Sequence, residues 1–231
     1  MSWLAAALRS MPDLQPLWLT FRLAGLTTCI LLVIGIPLAY WLAYTPNRFK
    51  PVLETLVSMP LVLPPSVLGF YLLLAFSPQN AFGHWLEIAL GWKLVFSFAG
   101  LVLGSVIFSL PFMVHPLQSG LQNLPMSLIE ASRTLGKSDL YSLFRVLLPN
   151  CRSALLSGIV LSFAHTVGEF GVVLMIGGNI PGITRTLSVC IYDDVQALNY
   201  DSASRTAIVL VLFSLSVLSV THILSHRTWP K

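Results

Sequence analysis

Charge is the scarcest thing in this chain: Asp, Glu, Lys and Arg together make 10% of its 231 residues, against 55% hydrophobic and a mean hydropathy of +0.80. So little polar surface cannot cover a soluble globule of this size, which leaves the lipid bilayer as its solvent. Cysteine is sparse too. Cys29, Cys151 and Cys190 form an odd set without metal-ligand spacing, so neither a disulfide framework nor a metal site is expected. HExxH, GxSxG and paired intramembrane carboxylates are all missing, which removes the usual hydrolase signatures. Gly136-Lys137-Ser138 has the ending of a phosphate-binding loop, but Ala131 stands where the first glycine belongs and no strand pattern precedes it. The chain itself is therefore not expected to bind ATP or to be an enzyme. The N-terminus has no compact charged, apolar and small-residue cleavage pattern, so the first long run is read as a retained span. A net charge of +4 does not point to nucleic acid, because the cations sit in loops between apolar runs, as the positive-inside bias requires.

What is present is length in apolar runs. A span needs about 20 apolar residues, and about five runs qualify, near 17–44, 52–76, 94–117, 154–176 and 206–224. The fold class is all-α, a single polytopic membrane domain over 1–231.

One polar stretch, residues 127–149, interrupts these runs with its own helix punctuation. Ser127 followed three residues later by Glu130 reads as a capping box. Gly136 supplies a left-handed stop, and Ser138 with Asp139 caps and charges a second helix running towards Pro149. Leu128, Ile129 and Leu135, with Ala131, give the first helix an apolar stripe narrow enough for a partner groove to bury. The plainer reading is an amphipathic linker between two membrane helices.

With that stretch in the cytoplasm, one side holds Arg48, Lys50, Arg133, Lys137, Arg145, Arg152, Arg227 and Lys231, against Arg9, Arg22, Lys93, Arg185 and Arg205 on the other. The bias has the expected sign, and it places the N-terminus outside and the C-terminus inside. Trp18 and Trp41 sit near the ends of the first run as interfacial anchors, and Pro37 is expected to kink it. In the second run Pro60, Pro64, Pro65 and Ser66 fall near mid-membrane, where broken helices are tolerated if they pack in protein or line a cavity; a translocation pathway is expected there, with a purely structural kink as the alternative. The third run holds Gly100 and Gly104 at GxxxG spacing beside Ser97, Ser105 and Ser109, inviting close approach of a helix from the same chain or a second copy. His115 reads as a boundary residue.

The fourth run carries His165, Gly168, Glu169 and Gly171, and ionisable groups at such depth are functional candidates by default. His165 and Glu169, four apart, share a helix face. They suit a metal site or a proton relay, though two ligands make no complete site, or, better, an interhelical hydrogen bond helped by close packing at Gly168 and Gly171. Beyond lies turn chemistry at Asn179, Pro181, Gly182, Thr184 and Arg185, expected outside.

These residues carry a family resemblance. Glu130-Ala131-Ser132, then Gly136, then nine residues and Val146-Leu147-Leu148-Pro149 resemble the EAA loop of the membrane-spanning subunits of bacterial ABC importers, with Ser132 for the second Ala and Val146 for Ile. Residues 60–70 resemble the corresponding span of molybdate importer permeases, and Gly168 to Gly171 and Asn179 to Thr186 resemble molybdate and sulfate permeases, with Ile183 where many members are polar. The chain is identified as a member of that group, whose fold is the type I importer permease with a cytoplasmic coupling helix in the loop 125–149. The resemblance implies a homodimer in the bacterial inner membrane, two cytoplasmic ATPase subunits that bind ATP and Mg, no cofactor on this chain, and an external binding protein that delivers molybdate, with tungstate as a second cargo. It implies coupling roles for Ser127, Leu128, Ile129, Glu130, Ala131, Ser132, Leu135, Gly136 and Pro149, and pathway or gate roles for Pro60, Pro64, Pro65, Ser66, Gly168, Glu169 and Gly171. Asn179, Pro181, Gly182, Thr184 and Arg185 fall near the family's external gate, where Arg185 either helps an oxyanion or is a solvated cation; Asp193, Asp194 and Asp201 argue against a simple anion-attracting surface. A sulfate or thiosulfate permease is the alternative within the family. An autonomous channel or ion-coupled carrier using His165 and Glu169 is the alternative outside it.

Overall fold

The computed structural model describes residues 14–227, apart from the side chains of residues 218 and 220–227. The expected positions of Arg9, the Arg227 side chain and Lys231 fall outside that description. Among the described residues all regular structure is helical.

The first helix, α1 (Leu14–Tyr44), runs 31 residues through Pro37, and its buried positions Leu23, Thr27, Leu31 and Leu42 recur at helical spacing. At 1.5 Å per residue it is about 46 Å long, more than a bilayer core requires. Trp18 is exposed, as an interfacial anchor should be, whereas Trp41 is half-buried against the core.

The second apolar run is two helices, α2 (Lys50–Val62) and α3 (Pro65–Phe76), bent by 112°. Proline stereochemistry sets the break. Leu63 and Pro64 both adopt extended ψ of 134°, the conformation that a following proline imposes, and Pro65 restarts the helix at a position where its missing N–H costs nothing. A further helix, α4 (Ala81–Leu90), was not expected from the sequence; it lies between Asn80 and the left-handed Gly91.

The third run forms α5 (Phe98–Gln122), which begins later than residue 94. Ser97 is its N-cap, accepting the Gly100 N–H at 3.2 Å, while the Phe96 N–H donates to the Ile176 carbonyl at 2.9 Å. Residues 95 and 96 are therefore a turn. Next come α6 (Ser127–Thr134), α7 (Asp139–Ser142), a π-helical segment (Leu143–Leu147) and α8 (Leu148–Asn150), then α9 (Arg152–Gly168), turned 85° from the preceding pieces. The run expected as one span over 154–176 is broken: α9 ends at Gly168 and α10 (Gly171–Gly177) restarts after Glu169 and Phe170. The break holds because the freed Glu169 carbonyl takes a hydrogen bond from the Ser188 hydroxyl at 2.5 Å. The chain closes with α11 (Leu187–Gln196) and α12 (Tyr200–Arg227).

Among the described residues α1, α5 and Tyr200–Val217 are each long and apolar enough to cross a membrane, and the bent pairs α2–α3 and α7–α9 bring the number to 5. Two apolar clusters fill the interior. One gathers Leu42, Val57, Leu117, Leu121, Ile129 and Leu147 at the end holding the α6–α8 hairpin; the other gathers Leu19, Leu68, Leu101, Val173, Ile176 and Val189 towards the opposite end. Helix α5 spans both.

The partner of the GxxxG pair lies within the same chain: a Cβ on Gly104 would stand 2.9 Å from Val172 Cγ1 of α10. On the other side of α10, a Cβ on Gly69 of α3 would stand 2.9 Å from the Val172 Cα. Gly69→Val is expected to cost about 1–3 kcal/mol, since backbone must move to admit it. Thermal unfolding in detergent checks this, with Gly25→Ala as the control; nothing lies within 4 Å of a Cβ at Gly25, so its midpoint should hold or rise.

Candidate functional site

The hairpin of α6 to α8 is built from local rules, though not all those anticipated. The expected capping box does not form: Met126 is already helical, and the N–H groups of Leu128, Ile129 and Glu130 are taken by the carbonyls of Pro125 and Met126 at 3.0–3.1 Å. Ser127 thus lies inside the first turn with no capping bond to make, and Glu130 contributes there only its charge. The stop is as expected. Gly136 has φ +70°, its N–H reaches the Arg133 carbonyl at 2.9 Å, and the Lys137 N–H reaches the Ser132 carbonyl at 3.1 Å, the paired bonds of a Schellman end. Ser138 then caps α7 through the Tyr141 N–H at 3.3 Å.

Ser132, where the resembling motif has alanine, lies 2.6 Å from the Ser142 hydroxyl, and both are buried. The Ser142 hydroxyl donates to the Ser138 carbonyl at 3.0 Å, so Ser132 is the donor of the shared bond. The departure from the motif therefore joins the two arms of the hairpin. Before Pro149, which brings no N–H, the ladder loosens to π spacing, with the Leu148 N–H reaching Leu143.

The apolar stripe divides. Ile129 is buried in the chain's own core and Leu128 packs beside it, so neither is free for a partner groove; Leu135 is 75% exposed. The outward apolar surface is instead Met126, Leu135, Leu140, Tyr141 and Phe144, crossed by the exposed Arg133–Asp139 ion pair at 3.1 Å.

At the proline break Pro60 is buried while Pro64, Pro65 and Ser66 are exposed. Gly171 comes onto it, for a Cβ there would stand 2.6 Å from Pro65 Cβ and 3.1 Å from the Ser66 nitrogen. Gly168 does not share this close packing: nothing lies within 4 Å of a Cβ at that position. Nor do His165 and Glu169 share a helix face, because Glu169 is extended beyond the end of α9. What they share is α5. The Ser105 hydroxyl donates to Glu169 Oε2 at 3.0 Å, and one turn along Ser109 Oγ lies 2.9 Å from His165 Nδ1. Thr166 donates to the Ser162 carbonyl at 2.9 Å, which leaves Ser109 to donate to Thr166 at 3.1 Å and His165 to donate through Nδ1–H to Ser109. The imidazole stacks on Phe112 with centroids 4.0 Å apart. The histidine thus makes a hydrogen bond between α9 and α5. Glu169 is 4% exposed, and its Oε1 has no hydrogen-bond partner among the described residues.

Beyond α10 the loop is tied down. Thr184 is fully buried and donates to the Gly177 carbonyl at 2.7 Å; Gly182 has φ +76°, next after Pro181. Arg185 is held within the loop: its Nε donates to Asn179 Oδ1 at 2.7 Å, and its head group lies 3.2 Å from Asp193 Oδ2, which also accepts from the Asn179 amide.

Sequence reasoning missed two polar pairs. His115, expected only as a boundary residue, also faces Ser58, with Nε2 3.1 Å from Oγ, and Gln118 donates to Glu54 Oε1 at 2.6 Å. The only signal in the sequence was polar residues at helical spacing in both runs, 54 and 58 against 115 and 118. Nearby the Tyr44 hydroxyl donates to the Leu121 carbonyl at 2.6 Å, fastening the end of α1 to the last turn of α5.

Comparison with known proteins adds three findings. The family described as "Binding-protein-dependent transport system inner membrane component" matches residues 35–230. The "Molybdenum transport system permease protein ModB" of Azotobacter vinelandii is 48% identical over 206 residues, covering 89% of this chain and 91% of that protein, and the protein of the same name from Escherichia coli (strain K12) is 31% identical over 211 residues, covering 91% and 92%. The crystal structure of a bacterial ABC transporter involved in the import of the acidic polysaccharide alginate superposes with a TM-score of 0.78 at 16% identity, covering 97% of this chain and 82% of that one, a likeness of fold alone.

Ser105→Ala leaves the buried Glu169 carboxyl without its partner and is expected to cost about 1–3 kcal/mol in thermal unfolding. The double change Ser105→Ala/Glu169→Leu should recover about half of that or more, because neither position then holds a polar group that needs a partner. Additive losses would mean the two side chains do not depend on each other.

Proposed function

Because the chain belongs to the binding-protein-dependent transport system inner membrane component family, we propose that it is the permease subunit of an ABC importer for molybdate. The observation that carries the substrate is the 48% identity to a molybdenum permease over 91% of that protein's length. Tungstate, a tetrahedral dianion of the same shape, falls within the same reading.

In this reading the whole of 1–231 serves as one transmembrane domain, with the N-terminus outside and the C-terminus in the cytoplasm of a bacterium. Two copies form the pathway. Each presents its hairpin to one of two cytoplasmic ATPase subunits, which bind the ATP and Mg; this chain holds no cofactor. Met126, Leu135, Leu140, Tyr141 and Phe144 supply apolar contact area, while Glu130, Ala131 and the Gly136 turn set the shape of the docking helix. An external binding protein delivers the oxyanion near Asn179, Pro181, Gly182, Thr184 and Arg185, whose ion pair with Asp193 shapes the mouth rather than binding the cargo. Pro60, Pro64, Pro65 and Ser66, with Gly171 seated on them and Glu169 beside, form the pathway wall or its gate. Gly168 adds only the helix end. ATP and delivered substrate must favour different states of the bundle, since a ligand bound equally by both shifts nothing.

The test is ATP hydrolysis by the chain co-purified with its ATPase in lipid vesicles, with binding protein loaded with molybdate or with sulfate. Stimulation by the molybdate-loaded protein is expected. Stimulation by sulfate alone would keep the architecture and change the substrate; transport by the chain alone under an ion gradient would replace it with a carrier. Gly136→Pro and Glu130→Lys should each cut uptake about tenfold or more while the protein still reaches the membrane. Normal uptake in both would contradict the coupling role.

A further inference from the structure

Two polar rungs join α2 to α5 at the end of the bundle that carries the hairpin. Glu54 and Ser58, one turn apart on α2, meet Gln118 and His115, one turn apart on α5. The Ser58 proton is committed to the Glu54 carbonyl at 2.7 Å, so His115 donates to Ser58 through Nε2–H. Lys50 Nζ, 3.9 Å from Glu54 Oε1, ends the row.

Little else holds α2. Its buried residues are Val57 and Pro60, with Val57 lying between the rungs and packing in the cluster that contains Val114 and Leu117. Helices surrounded by lipid gain no hydrophobic drive to associate, so polar bonds and close packing set their register. The rungs therefore set how α2 sits against α5. The two helices also lead to the two parts of the machine. Helix α5 ends at Gln122 and the docking helix α6 begins at Ser127, with Asn123 and Leu124 N–H groups still bonded back into α5 at 3.1 and 3.2 Å. Helix α2 ends at Val62, directly before the break at Leu63 and Pro64.

We propose that the Glu54–Gln118 and Ser58–His115 rungs transmit movement of the docking hairpin to the proline break. They are positioning residues: when an ATPase displaces α6, α5 follows through the short connection, and the rungs oblige α2 and the break to follow α5. The proposal rests on the ABC-permease reading above.

The test uses the whole complex in lipid vesicles with molybdate-loaded binding protein, measuring ATP hydrolysis, molybdate uptake and permease amount on one sample. The variant Glu54→Leu/Ser58→Ala/His115→Leu/Gln118→Leu removes both ends of each rung, so neither rung leaves a polar partner behind and the fold is spared. ATP hydrolysed per molybdate imported is expected to rise about tenfold in it, and by a smaller factor in Ser58→Ala/His115→Leu, which keeps the other rung. The exchanged pair Glu54→Gln/Gln118→Glu keeps an amide–carboxylate bond and should hold the ratio within about twofold of the unaltered protein. A ratio unchanged in both rung-less variants, with hydrolysis and uptake merely following permease amount, would reduce the rungs to packing and overturn the proposal. No response of the unaltered complex to loaded binding protein would instead overturn the permease reading itself.

Discussion

A polar side chain inside an apolar bundle must find a partner within the protein, and α5 is where most of these partners meet. Ser105, Ser109, His115 and Gln118 lie along this one helix and bond to Glu169, to His165 and Thr166, to Ser58 and to Glu54. Each such bond adds only about 0.6 kcal/mol on average in a membrane bundle, but leaving either group unpaired costs more. The consequence is register. Together with close packing, such as Gly120 against Ala154 and Gly158 against Met113, these pairs choose one position of α2 and α9 along α5, and the apolar clusters at the two ends fill in around that choice.

The two ends then do different work. At one, the Schellman turn at Gly136 and the buried Ser132–Ser142 bond make α6 and α7 a stiff corner anchored by Ile129, while Leu135, Leu140 and Phe144 stay outside. Exposed apolar residues clustered on the most polar stretch of a membrane protein mark a protein contact rather than a lipid one. Towards the other end, Gly69 and Gly171 let α10 close onto the proline break, and Ser188 and Ser105 secure Glu169 beside it. Helix α5 runs between these two ends with Pro111 and Pro116 inside it, and its packed, hydrogen-bonded contacts are what join the hairpin end to the end that carries the proline break.

What was legible in the sequence is what local stereochemistry decides. Pro64 and Pro65 announced the bend, Gly136 announced the stop, and the apolar runs announced the helices of an all-α membrane protein. The capping box at Ser127 and Glu130 failed because Pro125 and Met126 had already begun the turn, an outcome two residues upstream of the motif. The break at Glu169 was hidden because its support, Ser188, lies nineteen residues on. Arg185 looked free until the fold brought Asp193 and Asn179 to it, and His115 looked marginal until Ser58 arrived from 57 residues away. Pairing across the bundle is tertiary information. A single sequence shows the polar residue and not the partner.

Whether the outward face of the hairpin seats an ATPase can be read by site-specific photocrosslinking. A photoreactive residue in place of Leu135, 75% exposed beside the Gly136 turn, should capture the ATPase subunit in membranes, whereas one in place of Val62, 85% exposed at the end of α2, should not. Capture at Val62 and none at Leu135 would contradict the account.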